Sequence, residues 1–370
     1  MVPNLRFAGY IDNYRTCKLI DISEIVTRTN ENNSEYPIMM ISAGKGFIAQ
    51  SEKYSRDNAG TSINKYILLK KGELAYNRGN SKQFPYGAIY EMKEECALIP
   101  YVYHCFNIYD ESTRYFSHYL NSPFKDEQLS KIITSSVRGN GLLNISKNDF
   151  FNLSLNVPSI KEQNKIAKFL DLIDQRIQTQ SKIIDSYFSL SKAISNTLIG
   201  QSKGNTRLRE CLNCYSSNTM ESVIKQEDLG DYPVYGANGI IKKINNYEIE
   251  YPSIAIVKDG SGVGKMFKLS GKYSILSTLN YLTSKPGYDI DYIYYALKQK
   301  SLKKYVVGSG IPHIYFKDYE QEKIYIPQNE LQQQNITSVL QSIDEEIGNE
   351  IKQLKNYELL KKYLLKNMFV

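Results

Sequence analysis

Residues 158–199 read PSIKEQNKIAKFLDLIDQRIQTQSKIIDSYFSLSKAISNTLI, and residues 327–369 read PQNELQQQNITSVLQSIDEEIGNEIKQLKNYELLKKYLLKNMF. The two stretches match at a shift of 170 residues, so that Ile166 recurs as Ile336 and Asp174 recurs as Asp344. A match at a fixed spacing is typical of a duplicated structural unit. This duplication is the observation from which the fold of the whole chain is predicted.

Both stretches predict long helices with one narrow apolar stripe. The apolar residues recur at steps of four and three, which is the spacing by which one helix packs along another. Ser159 with Glu162, and Asn329 with Gln332, predict a capping box at each helix start. An amphipathic helix of an ordinary globular core is the alternative, but two matching stripes of this length favour packing of the helices against each other. The predicted seam consists of Ile166, Leu170, Ile173, Ile177, Ile184, Tyr187, Ile194, Leu198, Ile336, Leu340, Ile343, Ile347, Leu354, Tyr357, Leu364 and Met368.

The length of chain between the two helices predicts their direction. From Ile166 to Leu198 a helix rises about 48 Å, whereas the roughly 125 residues between the helices suit one compact domain about 35 Å across. Such a domain joins the end of the first helix to the start of the second without long linkers only if the helices are antiparallel. Ile166 is then expected to face Met368, and Leu198 to face Ile336.

We therefore predict an α+β protein that is a pseudo-twofold tandem repeat, with two similar globular domains separated by a pair of long antiparallel coiled-coil-like helices. In the second globular domain, Tyr232-Pro233-Val234 corresponds to Tyr36-Pro37-Ile38 of the first. The predicted parts are residues 1–156 (first globular domain), 157–200 (first helix), 201–326 (second globular domain) and 327–370 (second helix).

Composition narrows the class of protein. A net charge of +7 over 370 residues is compatible with nucleic-acid binding without requiring it. The apolar runs are shorter than the roughly 18 residues of a membrane span, and the first ten residues lack a signal-peptide core. Five cysteines without a recognisable pattern suit a reducing compartment. A cytoplasmic location is therefore expected.

Three motifs that suggest chemistry fail on closer inspection. The glycine-rich run Asp259–Lys265 lacks the first glycine and the final Ser or Thr of a phosphate-binding loop, so a turn between strands is the better interpretation. Cys211 and Cys214 have no second ligand pair and occupy the positions of Ile22 and Ile25 in the repeat, which favours buried apolar roles. The three histidines form no recognisable constellation. We predict no catalytic, cofactor-binding or metal-binding residue in this chain.

Polar loops at corresponding places in the two globular domains are the remaining candidates for function. Their Lys, Arg, Asn and Ser side chains can neutralise phosphates and read base edges in DNA. A solvated surface is the alternative for each of these residues. The candidate DNA-binding residues are Lys45, Lys53, Arg56, Asn77, Arg78, Asn80, Lys82, Asn238, Lys242, Lys243, Lys258, Ser261, Lys265, Lys272 and His313.

At Val157–Ala167, continuing to Leu170, Asp174 and Ile177, the sequence resembles the DNA-specificity subunits of Type I restriction-modification systems. Their helices open with a Pro-x-x-x-Glu-Gln-x-x-Ile-Ala pattern. The second copy departs from it, with one extra residue and Gln332 in place of Glu. The resemblance spans the chain and implies that each globular part is a target-recognition domain that reads half of a bipartite site in double-stranded DNA.

The resemblance also implies partners. The paired helices would act as a spacer and dock two methyltransferase subunits, and two motor-nuclease (restriction) subunits would join them. S-adenosylmethionine, ATP and Mg would then be bound by these partner subunits, and this chain would carry no cofactor. Two other hypotheses stay open at this point: a helix-tethered interaction scaffold that does not bind DNA, and an enzyme whose site the sequence does not reveal.

Overall fold

The computed structural model describes residues 2–30, 35–53, 60–133, 142–224 and 230–370. The chain divides into two compact units, which we describe separately. Unit 1 comprises Met1–Ser181 together with Gln353–Val370, and unit 2 comprises Lys182–Lys352. Each unit therefore contains one globular domain and parts of both long helices.

The strands of unit 1 are short and pair in antiparallel fashion. In chain order they are β1 (Arg15–Lys18), β2 (Ser23–Ile25), β3 (Met39–Ser42), β4 (Gly46–Ala49), β5 (Ile67–Lys70), β6 (Leu74–Asn77), β7 (Ala88–Glu91), β8 (Cys96–Ile99), β9 (His104–Ile108) and β10 (Ser154–Val157). Four strands form a sheet in the order β2-β9-β6-β7, and β1–β10, β3–β4 and β5–β8 form pairs. The strands expected after Tyr36, after Tyr66 and before Asn77 are thereby confirmed.

Helices cover the aromatic core of unit 1. Tyr76, Phe106, Tyr115 and Phe150 are buried in one cluster, together with Ile166 from the first long helix. The helices of this unit are α1 (Gln50–Lys53), α2 (Thr113–Tyr119), α3 (Pro123–Ile132), α4 (Lys147–Phe151) and the beginning of α5 (Ile160–Ser195), with short 3-10 helices at Leu19–Ile22 and Gly60–Lys65.

Unit 2 repeats this plan. Its strands are β11 (Thr206–Arg207), β12 (Leu212–Ser216), β13 (Tyr232–Gly236), β14 (Gly239–Ile244), β15 (Ser253–Val257), β16 (Met266–Leu269), β17 (Ser274–Ile275), β18 (Leu279–Ser284) and β19 (Lys323–Ile324). Its helices are α6 (Leu208–Cys211), α7 (Ile290–Lys298), α8 (Phe316–Tyr319) and the beginning of α9 (Glu330–Asn367), with 3-10 helices at Glu221–Val223 and Leu302–Tyr305.

The order of the strands confirms the tandem repeat. The sheet β12-β18-β15-β16 corresponds strand by strand to β2-β9-β6-β7, and the pairs β13–β14 and β11–β19 correspond to β3–β4 and β1–β10. In addition, β17 pairs with β13 in parallel fashion. Two stretches of weak sequence identity therefore share one topology, because the alternation of apolar residues and turns is repeated between them.

In unit 1 the start of α5 packs against the end of α9. Ile166 and Leu170 belong to the same buried cluster as Leu364 and Met368. One helical turn farther along α5, the Asp174 carboxylate lies 2.5 Å from the Lys361 ammonium of α9. The first turns of one helix therefore meet the last turns of the other, which is the antiparallel arrangement.

In unit 2 the end of α5 packs against the start of α9. Ile199, in a single π-helical turn that extends α5, shares a buried cluster with Ile336 and Leu340, and Leu198 packs against the same cluster. The antiparallel prediction is thus confirmed in each unit by itself. Every residue of the predicted seam is buried or partly buried. Within the described ranges, no helix combines the length and the apolarity needed to cross a membrane.

A glutamine amide closes the start of each long helix. The Gln163 side chain donates to the Pro158 carbonyl over 2.9 Å, and the Gln333 side chain donates to the Pro327 carbonyl over 2.8 Å. Both glutamines are buried. Because a buried carbonyl needs a donor, these two residues hold the preceding proline turn against the helix in the same way in both copies.

Of the two predicted capping boxes, the one at Asn329 is partly formed and the one at Ser159 is replaced by other contacts. The Asn329 side chain accepts from the Leu331 backbone N–H over 2.9 Å, so Asn329 is an N-cap. In the first copy, the Glu162 carboxylate accepts hydrogen bonds from Nε and Nη2 of Arg6, over 2.8 and 2.7 Å, and from the Tyr14 hydroxyl over 3.2 Å. This long-range ion pair replaces the local cap because Glu162 is almost fully buried and its charge needs a counter-charge.

An aspartate at or near the recurring position ties each long helix to the shorter helix of its own unit. Asp174 lies 4.0 Å from the His118 ring of α2, and Asp171, one turn earlier, lies 2.9 Å from it. The Tyr295 hydroxyl of α7 donates to Asp344 over 3.1 Å. In unit 2 the recurring aspartate itself accepts the hydrogen bond, whereas in unit 1 Asp171 makes the short contact with His118 and Asp174 pairs with Lys361.

We expect Phe369→Ala to lower the free energy of unfolding of unit 1 by about 3–5 kcal/mol, because losing a buried ring leaves a cavity. The buried Phe369 ring lies 5.2 Å from the Tyr119 ring and 5.4 Å from the Tyr115 ring. Urea unfolding, with hydrogen exchange of the α2 amides reporting on unit 1, measures the change. The matched control Phe188→Ala removes an exposed ring of α5 and should cost less than about 0.5 kcal/mol. Equal losses in both variants would contradict the prediction.

Acid should destabilise unit 1 through His104. This buried ring packs against Tyr76 and Phe150, and burial, with the nearby Arg78 charge, lowers its pKa to about 4. Between the unfolded pKa, about 6.5, and the folded pKa, the unfolded chain binds the extra proton, so stability falls as the pH falls, by up to about 1.4 kcal/mol per pH unit. Above a pH of about 6.5, His104 is neutral in both the folded and the unfolded chain, and this loss of stability is absent. His104→Phe should remove this part of the pH slope in urea titrations, and an unchanged slope would refute the assignment.

Candidate nucleic-acid interface

The glycine-rich run of unit 2 is a tight turn that joins β15 to β16. The Val257 N–H donates to the Lys265 carbonyl, and the Gly264 N–H donates to the Val257 carbonyl, each over 2.9 Å. Gly260 and Gly264 have φ angles of 92° and 83°, a region that favours glycine. The run connects two antiparallel strands and not a strand to a helix, so the interpretation as a turn is confirmed.

Two other loops contact this turn. The Lys265 ammonium donates to the Asn238 side chain, at the tip of the β13–β14 hairpin, over 3.2 Å. The Gly260 N–H donates to the Pro312 carbonyl over 2.9 Å, in the segment that follows the 3-10 helix at Leu302–Tyr305. We call the hairpin tip 237–239, the turn 258–265 and the loop 307–313 together the loop surface of unit 2. It brings together five predicted residues: Asn238, Lys258, Ser261, Lys265 and His313.

The other three predicted residues of unit 2 lie away from these contacts. Lys242 and Lys243 lie farther along β14. Lys272 lies toward the opposite end of the hairpin, where its ammonium is 4.6 Å from the centre of the Tyr247 ring and 6.0 Å from that of Tyr232. Hydrogen bonding to Tyr247 raises the pKa of Lys272. These contacts therefore stabilise the charged form of Lys272.

Unit 1 has a corresponding surface. The turn between β3 and β4 carries the exposed Lys45, and its Gly44 N–H donates to the Tyr90 hydroxyl over 2.9 Å. Gly44 also packs against Gln83 in the connection from β6 to β7. That connection carries the exposed Asn80 and Lys82. We call the turn 43–45 and the connection 78–87 the loop surface of unit 1.

Two predicted residues of unit 1 point into their own domain. The Arg78 guanidinium donates to the Ile145 and Val102 carbonyls over 3.0 and 3.2 Å. The Asn77 side chain accepts from the Gly79 N–H over 3.0 Å and so forms the turn itself. Both residues shape the loop surface of unit 1, and their contact with DNA stays a prediction. The side chain of Lys53 and all of Arg56 lie outside the described residues.

A buried lysine, which the sequence analysis missed, supports the same connection. The Lys125 ammonium is 1% exposed and donates to the Gly87 carbonyl over 2.7 Å, with Asp126 at 3.4 Å. Burial lowers the pKa of Lys125 to about 8 against the opposing effect of Asp126. The local sequence gives no signal of this role, since a lysine in the first turn of a helix is usually solvated.

The cysteines behave as the sequence predicts. Cys211 is fully buried in the core of unit 2, and Cys214 packs against that core. Burial raises the pKa of Cys211 to about 12 and that of Cys214 to about 11, so both thiols stay protonated and unreactive. In the described part of the chain, no group of three or more His, Cys, Asp or Glu side chains is placed to hold a metal ion.

The long helices also present apolar residues to solvent, a second feature that the periodic stripe did not predict. In unit 1, Leu172, Leu359 and Tyr363 are between 51% and 58% exposed. In unit 2, Phe188 and Leu331 are 53% and 67% exposed. Leu359 and Tyr363, four residues apart on α9, lie on one face of the helix, and adjoining exposed apolar side chains are typical of surfaces that bind another protein.

Comparisons with known proteins agree with this architecture. The sequence profile of the family described as Type I restriction modification DNA specificity domain matches residues 12–186 and 206–356. The specificity subunit of the type I restriction enzyme MjaVIII from Methanocaldococcus jannaschii is 34% identical over 169 residues, which cover 42% of this chain and 39% of that subunit. The match therefore spans less than half the length of this curated relative.

Solved structures share the fold over the whole chain. The crystal structure of the S subunit of a Type I restriction-modification system from M. genitalium has a TM-score of 0.66 at 16% identity, covering 100% of this chain and 99% of that one. A chain from a study of complex assembly and conformational transition of the type I R-M system has a TM-score of 0.55 at 15% identity, covering 97% and 98%. Since the profile matches most of both units, the chain belongs to the Type I restriction modification DNA specificity domain family.

Proposed function

We propose that this chain reads a bipartite sequence in double-stranded DNA, with one half-site recognised by the globular domain of each unit. The observation that carries the proposal is the duplicated loop surface. In both units, polar and basic loops of corresponding topology lie at the end of a hairpin and at the end of the central strands β6 and β15. Membership in a family of DNA specificity domains supports the same function.

The residues of each loop surface suit two kinds of contact. Lysine ammonium groups such as those of Lys45 and Lys265 can neutralise phosphates, which contributes affinity without sequence preference. Asparagine side chains such as those of Asn80 and Asn238 can donate and accept at once, as recognition of an adenine edge requires. The framework beneath the loops is held by the hydrogen bonds described above, so that these side chains meet DNA with little loss of freedom.

We propose further that the helix pair sets the distance between the half-sites. The 36 residues of α5 and the 38 residues of α9 correspond to about 54 and 57 Å of helix. That length exceeds one turn of DNA, about 34 Å. A read sequence, a gap and a second read sequence follow from such a spacer.

In this proposal the chain contributes recognition and no catalytic group. Two methyltransferase subunits would dock on the exposed apolar residues of the helices, and two motor-nuclease subunits would join the complex in the cytoplasm. S-adenosylmethionine, ATP and Mg would be bound by those partners.

A helix-tethered scaffold without DNA binding is the second candidate, and the exposed apolar helix residues favour it. Fluorescence anisotropy with duplex DNA, with and without a co-expressed methyltransferase, separates the two functions. Binding that weakens steeply with salt supports DNA reading. Absent or salt-independent binding would leave the scaffold.

The basic residues of the unit 2 loop surface should determine part of the salt dependence. Replacing Lys258 and Lys265 together by alanine should reduce the slope of log affinity against log salt by about 1.8, which is about 0.9 for each phosphate that these lysines neutralise. The matched control is Lys298→Ala on α7, whose ammonium lies 3.9 Å from Asp344, and it should leave the slope unchanged. Equal slopes for the double variant and the wild type would count against contact at this surface.

Shortening the helix pair should change the gap and not the half-sites. Deleting residues 177–183 and 347–353 keeps the seam in phase and removes about 10 Å of helix. Sequencing of methylated host DNA should then show a gap between the half-sites that is shorter by about three base pairs. A smaller fraction of the sites should be methylated, because the shorter gap also rotates the second half-site about the DNA axis. As a control, exchanging the two segments preserves length and should preserve the gap. Altered half-sites with an unchanged gap would refute the spacer.

A further inference from the structure

One loop of unit 2 has a closed backbone conformation that is unrelated to the predicted basic residues beside it. Residues 307–313, the Ile311 loop, are closed by two backbone hydrogen bonds: the Val307 N–H donates to the His313 carbonyl over 2.9 Å, and the His313 N–H donates to the Val307 carbonyl over 2.8 Å. Gly308 has a φ of 97° and packs against the Ile311 carbonyl and the His313 ring. A side chain at position 308 would not fit, so this conformation depends on glycine.

The closed loop presents two apolar side chains, Val307 at its base, which is 50% exposed, and Ile311 near its tip. Ile311 is 71% exposed, the highest value among the large apolar residues of unit 2 that the structure describes. The residues around it, Gly308-Ser309-Gly310 and Pro312, are small and uncharged. Their backbone can therefore approach a partner closely, with Ile311 making the first contact.

The loop is also fixed to the basic part of the same surface. Pro312 accepts from the Gly260 N–H, the Ile314 N–H donates to the Lys258 carbonyl over 2.9 Å, and the His313 ring lies 5.1 Å from the Tyr315 ring. Exposed apolar residues that occur singly are common on protein surfaces. Here backbone hydrogen bonds join the loop of this residue to the turn that carries Lys258 and Lys265, which is an arrangement suited to recognition.

We propose that Ile311 determines specificity by contacting the C5-methyl group of a thymine in the half-site read by unit 2. Among the groups that base pairs present in the major groove, the thymine methyl is the apolar one. An isoleucine carried on an uncharged loop has no favourable contact with phosphates, whereas neighbouring Lys258 and Lys265 do. Its branched side chain populates few rotamers, so contact with a methyl group costs little conformational freedom. This inference rests on the proposed function.

The experiment uses the full chain with its methyltransferase and the target sequence obtained from the methylated host DNA. Affinity is measured by anisotropy at one salt concentration for duplexes in which each thymine is replaced in turn by deoxyuridine, which lacks only the methyl group. For the wild type, one thymine in the unit 2 half-site should be sensitive, with about four-fold weaker binding, the factor expected for one buried methyl group. Ile311→Ala should bind the unmodified duplex about as weakly and lose its sensitivity to deoxyuridine at that position alone.

Ile20→Ala, which truncates an exposed isoleucine of unit 1, is the matched control and should retain the sensitivity. Ile311→Val should retain most of it, and thermal unfolding of each variant verifies the fold. The proposal would be overturned if no thymine in this half-site were sensitive, or if the sensitivity survived in Ile311→Ala. It would also be overturned if Ile311→Ala weakened binding only together with reduced DNA bending, as expected for a side chain wedged between base pairs. Loss of methyltransferase binding alone would overturn it as well. The complete absence of salt-dependent DNA binding would refute the proposed function itself, and is distinguishable from all of these.

Discussion

The end of α9 and the residues after it insert apolar side chains into the core of unit 1, and much of that unit depends on this contact. Leu364, Met368 and Phe369 pack with the first turns of α5. The Tyr119 hydroxyl donates to the Val370 carbonyl over 2.8 Å, and the Leu5 N–H donates to the Asn367 carbonyl over 2.9 Å. Unit 1 is thus completed by residues from the opposite end of the sequence. An antiparallel helix pair is the arrangement that permits this, because it returns the chain to the domain in which it began.

Buried polar groups determine how the helices and loops join the domains. Glu162 binds Arg6 and Tyr14 at the start of α5, and Lys125 holds the Gly87 carbonyl below the loop surface of unit 1. Each is a charge removed from water, which is unfavourable unless partners are fixed in place. Few other directions of α5, and few other shapes of the loop above Lys125, would give these charges their partners. The buried charges therefore select one geometry. Such a frame suits a protein whose loops must meet a precise set of chemical groups.

The two units show which parts of a duplicated fold can vary. The strand order, the glutamine that closes each helix start and the aspartate facing α2 or α7 are shared. The loops differ in length and chemistry, with inward-pointing Arg78 in one unit and the glycine-rich turn before Lys265 in the other. Loops can change because their side chains contribute little to the core. A duplicated frame with different loops is therefore able to read two unrelated half-sites.

The amino-acid sequence by itself determined the long helices, their seam, their antiparallel direction and the duplication. These follow from the apolar periodicity, the proline before each helix and the length of chain between the repeats. Each of these features can be read directly from the sequence. The tertiary structure decided which polar residues face outward: Arg78 and Asn77 resemble base readers in type but serve their own backbone, whereas Ile311, an apolar residue, lies on the loop surface. It also decided that Glu162 pairs with Arg6 and that Lys125 is buried. The physical reason is that these outcomes depend on hydrogen bonds and burial between residues far apart in sequence, for which no local pattern exists.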